Sequence, residues 1–305
     1  MLEFLMRPTP FNGAAMMTIT ALCWTGNFIV GRWAADHVPP LTLAGLRWIG
    51  ATLIMLALAW PYRHKDWPIL RQHMPMMVMF GLTGAAIHNA LQYVALNYTT
   101  ATSASVINAS GPILIALSCY LFFGDRVSLR QALGILSALC GVLVVISKGD
   151  PQVLAGLSLN IGDLAMLAAI AIASVYMAFM RRRPPVHALS FALGTFVVAA
   201  LAMLPMMGME LALGARFVPT TGALLAIAYV AVVPSVIAYL CLNRGLELLG
   251  GTRAGVFLYL IPLFTAGTAV LLLGERPAAY HAAGLVLIVL GLWISTRQPP
   301  APKAA

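Results

Sequence analysis

The sequence predicts an all-α polytopic membrane protein in which ten transmembrane helices form two inverted five-helix repeats around a central cavity. Three observations carry this expectation. The 305 residues are 61% hydrophobic and 9% charged, against about 25% charged in an ordinary soluble domain. Ten apolar runs each approach the roughly 20 residues that cross a bilayer. Finally, "GPILIALSCYLFFGDR" from Gly111 is answered by "IPLFTAGTAVLLLGER" from Ile261, 150 positions later. Pro112, Gly124, Asp125, Arg126, Gly134 and Gly141 thereby meet Pro262, Gly274, Glu275, Arg276, Gly284 and Gly291.

The first run, about 12–33, follows a short segment with Arg7 and is too long for a signal-peptide core, so it reads as a retained helix. Trp24, Asn27 and Gly31 share one of its faces. The second, about 40–60, holds Arg47 well inside it; the favoured reading is that Arg47 snorkels or pairs with a helix end, the other that it draws a substrate carboxylate. The third, about 74–95, begins with Pro75 and sets His88 and Gln92 on one face, with Asn89 and Tyr93 adjacent. In the fourth, about 102–123, Ser105, Asn108 and Pro112 align, and Gly124 suits a helix stop. The fifth, about 129–147, presents Gly134, Ser137 and Gly141 on one face, where small side chains allow close helix approach.

The remaining runs, about 161–180, 187–208, 220–243, 254–274 and 279–296, repeat the plan. Tyr176 lies on the sixth and Pro205 interrupts the seventh. The eighth contains Pro234 and "YLCLN" from Tyr239, which answers "YVALN" from Tyr93; the ninth carries Tyr259 and Pro262. The units are therefore residues 1–150 and 151–297, with 298–305 a polar, Pro-rich, disordered tail. Pro112 and Pro262 lie inside their runs and free the carbonyls of Asn108 and Leu258. As a symmetric pair they are expected to be hinges bordering the cavity; the plainer reading is a kink for packing.

Five is odd, so the second unit enters the bilayer from the opposite side. With an inside amino terminus, Arg7, Arg63, Lys65, Arg71, Arg126, Arg130, Arg181, Arg182, Arg183, Arg244, Arg253, Arg297 and Lys303 fall inside. Arg32, Arg47, Lys148, Arg216 and Arg276 fall outside. This positive-inside bias places both termini in the cytoplasm. The net charge of +9 thus orients the chain and is not a groove for nucleic acid. The nine carboxylates sit at or near run ends and are expected in loops. Cys23, Cys119, Cys140 and Cys241 are expected to pack inside apolar runs, with no spacing for a disulfide frame or a metal site. No H-E-x-x-H and no paired central carboxylates signal an enzyme.

Polar side chains in hydrocarbon usually face a cavity or a partner helix. Trp24, Asn27, His88, Asn89, Gln92, Asn108, Tyr176, Tyr239 and Tyr259 are the candidate substrate-binding set. For each alone, a hydrogen bond serving helix packing is the competing reading, and His88 by itself reads as a neutral hydrogen-bonding residue. Amide and hydroxyl groups beside aromatic faces suit an amphipathic solute that is neutral overall, such as an amino acid.

"WTGNF" from Trp24, the Leu46-Arg47-Trp48 step, the Thr-Ser-Ala stretch leading to Pro112 and the doubled P-x11-G-[DE]-R together resemble the drug/metabolite transporter superfamily. More narrowly they resemble its ten-helix EamA branch, over essentially the whole chain, and within it the YddG-type aromatic amino acid exporters of bacterial inner membranes. The resemblance implies inverted bundles around a central cavity, with the fifth and tenth helices peripheral and no cofactor. It also implies a small-molecule substrate, an amino acid, with the lipid bilayer as the other partner. The expectation is a monomeric exporter working by alternating access, without proton coupling because no acid lies at the centre of a span. The alternatives are an efflux carrier for organic cations or sugar phosphates, or a membrane scaffold or receptor.

Overall fold

The computed structural model describes residues 10–125, 129–150, 152, 160–249 and 257–296. Arg7, Arg126, Arg253, Arg297, Lys303 and the tail 298–305 lie outside them. Among the described residues every regular element is helical. Helix α1 spans Pro10–Ala34. Helix α2 runs over Pro40–Ala59 and continues through a 3-10 turn, Trp60–Tyr62, into Arg63–Gln72. Helix α3 joins Met74–Gly81 to Ile87–Tyr98 through a π-helical turn at Leu82–Ala86. Helices α4 (Ala101–Asn108), α5 (Gly111–Phe123) and α6 (Leu129–Ile146) complete the first half.

The second half opens with α7 (Ile161–Phe179) and α8 (Ala188–Ala212). Helix α9 joins Thr221–Ala231 to Ala238–Leu249 through a second π-helical turn, Val232–Ile237. Helices α10 (Leu260–Leu273) and α11 (Ala279–Thr296) follow.

Among the described residues six stretches are long and apolar enough to cross a membrane, and α4 with α5, bent by 42°, make a seventh if the pair counts as one span. Shorter apolar helices at Ala132–Ile146, Leu260–Leu273 and Ala279–Gly291 fall where the fifth, ninth and tenth runs are expected. Large apolar side chains such as Leu121, Leu129, Leu263 and Leu271 point outward, as they do where the solvent is lipid.

The bend corrects the position expected for Pro112. A proline inside a helix loses a hydrogen bond and clashes with the preceding turn, but in the first turn its missing N–H costs nothing. The helix accordingly stops at Asn108 and restarts at Gly111, with Pro112 in the first turn of α5. Pro262 likewise occupies the first turn of α10, and the residues before the two restarts, Ser110 and Tyr259, share φ/ψ of −73°/−9° and −72°/−9°. Both helices end on a left-handed glycine, Gly124 at φ 67° and Gly274 at φ 65°, a conformation that a Cβ would strain.

Packing repeats with the halves exchanged. Helix α1 packs on α9 and α10, and its counterpart α7 packs on α3 and α5; α2 packs on α8, α6 on α11 and α4 on α10. The α6–α11 contact is antiparallel. Ser137 Oγ donates to the Leu287 carbonyl at 2.9 Å, while the backbones of Gly141 and Gly284, and of Gly134 and Gly291, approach so closely that a Cβ would meet carbonyl oxygen at 2.4–2.8 Å. The small face foreseen on the fifth helix thus meets its own counterpart. Cys23 is buried as expected; Cys140 instead faces outward, and Cys119 and Cys241 are half-buried.

Of the carboxylates expected in loops, Glu275 lies in one and Glu210 and Asp66 lie in helices, and all three cap other helices. Glu210, in the last turn of α8, accepts from the N–H groups of Leu41 and Thr42 and from Thr42 Oγ1 at 2.7–2.9 Å, at the start of α2. Glu275 does the same for Ala101 and Thr102 at the start of α4, at 2.7–3.1 Å. Asp66, buried on α2, accepts from the His187 N–H before α8 at 3.1 Å. Helix N-termini carry orphan donors and a positive dipole end, and a carboxylate satisfies both. Replacing Glu275 by Gln, which leaves one accepting oxygen where two are used, is expected to lower stability by about 1–3 kcal/mol. A thermal unfolding midpoint unchanged from wild type would contradict the cap.

Candidate functional site

Arg47 is only 4% exposed, so it neither snorkels nor caps a helix end, and the favoured reading of it gives way. A buried guanidinium needs acceptors from several sides, and three other helices supply them. Its Nε donates to Ser235 Oγ at 2.8 Å on α9. Its Nη1 lies 2.9 Å from Asn27 Oδ1 on α1, and 2.8 Å from Asn89 Oδ1 and 2.7 Å from Tyr93 Oη on α3. Asn27 Oδ1 also accepts from Tyr93 Oη at 2.8 Å. The guanidinium lies beside the Trp48 ring, 4.9 Å from its centroid.

The two π-helical turns place these acceptors. Pro234 has no N–H for the carbonyl of Val230, and the Ser235 hydroxyl takes that carbonyl at 2.8 Å, leaving its lone pair for Arg47. The Pro234 carbonyl, in the same turn, accepts from Trp24 Nε1 at 3.2 Å. In α3 the Asn89 amide donates to the Ala85 carbonyl of the other π turn at 3.0 Å, which aims its oxygen at Arg47. Such single π turns inside α-helices often mark functional sites.

A second cluster joins the halves through aromatic rings. Tyr176 on α7 and Tyr239 on α9 meet hydroxyl to hydroxyl at 3.0 Å. Tyr239 packs edge-on against Phe196, which packs on Trp48, so the ring series runs back to Arg47. Gly84 lets Tyr176 in, because a Cβ there would sit 2.3 Å from the ring. His88 Nδ1 lies 3.1 Å from the Ala169 carbonyl; since the carbonyl can only accept, this nitrogen carries the proton.

The structure therefore brings Asn27 and Asn89 together around Arg47, joins Tyr176 to Tyr239, ties Trp24 to the α9 turn and His88 to α7. Gln92 is buried and Asn108 half-buried, and neither side chain makes a hydrogen bond among the described residues. The buried Tyr259 hydroxyl likewise has no partner among the described residues. The sequence reading missed Ser235, whose signal was its position directly after an intrahelical proline, and undervalued Arg47. Among the described residues no three His, Cys, Asp or Glu side chains are placed to hold a metal ion.

Comparison with known proteins agrees with this two-fold plan. The model of the EamA-like transporter family matches residues 11–147 and again 160–297. An "Uncharacterized transporter" of Archaeoglobus fulgidus is 28% identical over 289 residues, 93% of this chain and 96% of its own. A "Probable amino-acid metabolite efflux pump" occurs in Salmonella typhimurium and in Escherichia coli; each is 26% identical over 286 residues, 91% of this chain and 92% of its own. A protein of known crystal structure shares the fold with a TM-score of 0.61 at 24% identity, over 93% of this chain and 97% of its own.

Proposed function

Given that the chain belongs to the EamA-like transporter family, a family of multi-pass membrane transporters, we propose that it exports aromatic and other neutral amino acids by alternating access. The observation that carries this reading is the set of bonded amides, hydroxyls and aromatic rings drawn from both halves, from the buried Asn27 and Asn89 to the half-buried Tyr176 and Tyr239. Such groups bind an ammonium and a carboxylate while offering ring faces to an apolar side chain. The relatives named as amino-acid metabolite efflux pumps support the same cargo. Efflux of organic cations is disfavoured, because Asp66, Glu210 and Glu275 are engaged at helix ends and Arg47 puts a positive charge at the centre.

In this reading Trp24, Asn27, His88, Asn89, Gln92, Asn108, Tyr176, Tyr239 and Tyr259 form the binding set, and the restarts at Pro112 and Pro262 are the hinges. Ten spans form two inverted units, residues 1–150 and 151–297, in the bacterial inner membrane with both termini cytoplasmic. The antiparallel pairing of α6 with α11 supports the inversion, since equivalent helices run opposite ways only when the relating axis lies across them. The carrier acts as a monomer and without a cofactor.

Two measurements test this. Proteoliposomes holding the purified protein are expected to show counterflow of labelled phenylalanine that collapsing a pH gradient leaves little changed; strict dependence on the gradient would refute uncoupled transport, and no counterflow of any amino acid would refute the cargo. Cysteines placed at Asp125 and Arg276, in a protein freed of its four native cysteines, are expected to react with an impermeant maleimide from opposite sides of the membrane. Reaction of both from one side would overturn the inverted arrangement.

A further inference from the structure

Arg47 carries a full positive charge into the bundle, yet every group it bonds is neutral: Asn27, Asn89, Tyr93 and Ser235. Among the described residues Arg32 pairs with Asp36 and Arg181 with Asp125, both at helix ends, while Arg47 pairs with no carboxylate within 4.0 Å. Its Nη1 has more acceptors in reach than hydrogens to give them, while its Nη2 makes no hydrogen bond. Gln92, on the same turn of α3 as Tyr93 and 4% exposed, is also without one. Buried cations are normally matched by an anion, because neutral dipoles replace the hydration of a charge only in part. Here the fold holds the guanidinium rigidly and leaves one edge of it unused.

We propose that the unused edge of Arg47 is the anchor for the cargo's carboxylate, so that the carrier selects carboxylate-bearing solutes over the corresponding amines. This deepens the amino-acid reading and rests on the chain being a carrier. A planar guanidinium matches a carboxylate better than an ammonium does. An incoming carboxylate neutralises the buried charge, whereas a decarboxylated amine adds a second cation and leaves Arg47 unmatched. Because Arg47 already bridges α1, α2 and α3 to Ser235 on α9, the anchored cargo acts on the contact between the two halves.

The test compares three probes of one shape on the purified full-length protein: phenylalanine, 3-phenylpropionate, which keeps the carboxylate alone, and phenethylamine, which keeps the amine alone. Phenylalanine and 3-phenylpropionate are expected to raise the thermal unfolding midpoint and to compete for phenylalanine counterflow, and phenethylamine to do neither. In Arg47→Lys the acid's effect should weaken about tenfold, the loss of one charge-assisted hydrogen bond. In Arg47→Gln it should vanish while a single sharp size-exclusion peak shows the protein folded; if Arg47→Gln fails to fold, Arg47→Lys supplies the comparison. Competition by phenethylamine equal to that by phenylalanine overturns the proposal, as does an undiminished acid effect in a folded Arg47→Gln or Arg47→Lys protein. If no amino acid counterflows but pyruvate does, in an Arg47-dependent way, the carboxylate anchor stands and the amino-acid cargo falls; Arg47-dependent counterflow of glucose 6-phosphate alone overturns the choice of a carboxylate. No response to any of these anions overturns the anchor.

Discussion

An Asn27→Asp protein is expected to fold at least as stably as the wild type and to lose transport. The substitution replaces only the amide nitrogen by an oxygen, so it keeps the oxygen that lies 2.9 Å from Arg47 Nη1 and 2.8 Å from Tyr93 Oη. The new carboxylate neutralises the buried guanidinium permanently, doing from within what the cargo is proposed to do from outside, and the anchor is then occupied. Asn27→Leu should behave oppositely. It removes an acceptor of a charge-assisted bond and strands the Tyr93 hydroxyl, together about 3 kcal/mol, read as a lower thermal midpoint. In the double variant Asn27→Leu with Arg47→Leu, the loss should be smaller than the sum of the two single losses, since removing both partners leaves no uncompensated charge. Wild-type counterflow by Asn27→Asp would show that the charge of Arg47 is not needed by the cargo.

The largest effect on folding is expected from Gly291→Ala. A Cβ at this position would lie 2.4 Å from the Gly134 carbonyl oxygen and 3.0 Å from the Ala138 nitrogen. Both are backbone atoms of α6, so relief requires the two helices to separate along their whole contact, not the rotation of one side chain. A forced overlap of this kind costs about 3 kcal/mol or more, enough to lower the thermal midpoint clearly and to reduce the yield of folded protein. Gly267→Ala is the matched control: no atom lies within 4 Å of its would-be Cβ, and alanine is the better helix former by roughly 1 kcal/mol. If the two variants melted alike, α6 and α11 would not touch through these glycines.

Some of this was legible residue by residue. The pairing of Gly124 with Gly274 was visible as a repeated letter, because only glycine takes the left-handed conformation cheaply. The close face of Gly134, Ser137 and Gly141 was visible as small residues at helical spacing. Asn27 and Asn89 stood out because an amide in an apolar run is costly unless bonded. Arg47 was misjudged because a long side chain two turns from a helix end can reach water, and nothing local says whether it does. Pro112 was placed inside a helix because an apolar run continues across it, and apolarity does not register a break of two residues. The caps at Glu210, Glu275 and Asp66 could not be anticipated, since each serves a helix far away in sequence.

By itself the sequence determined that this is a helical membrane protein built from two copies of one unit. Composition, run length and a repeat at constant offset are properties of the chain taken one residue at a time or at fixed spacing, and the bilayer leaves few structures open to such a chain. Only the tertiary structure decided which helices touch, and hence that an arginine drawn from one span is enclosed by amides and hydroxyls from three others. That enclosure depends on contacts between residues as far apart as Arg47 and Ser235, whose strength comes from the exclusion of water, and burial is a property of the assembled bundle and not of any segment.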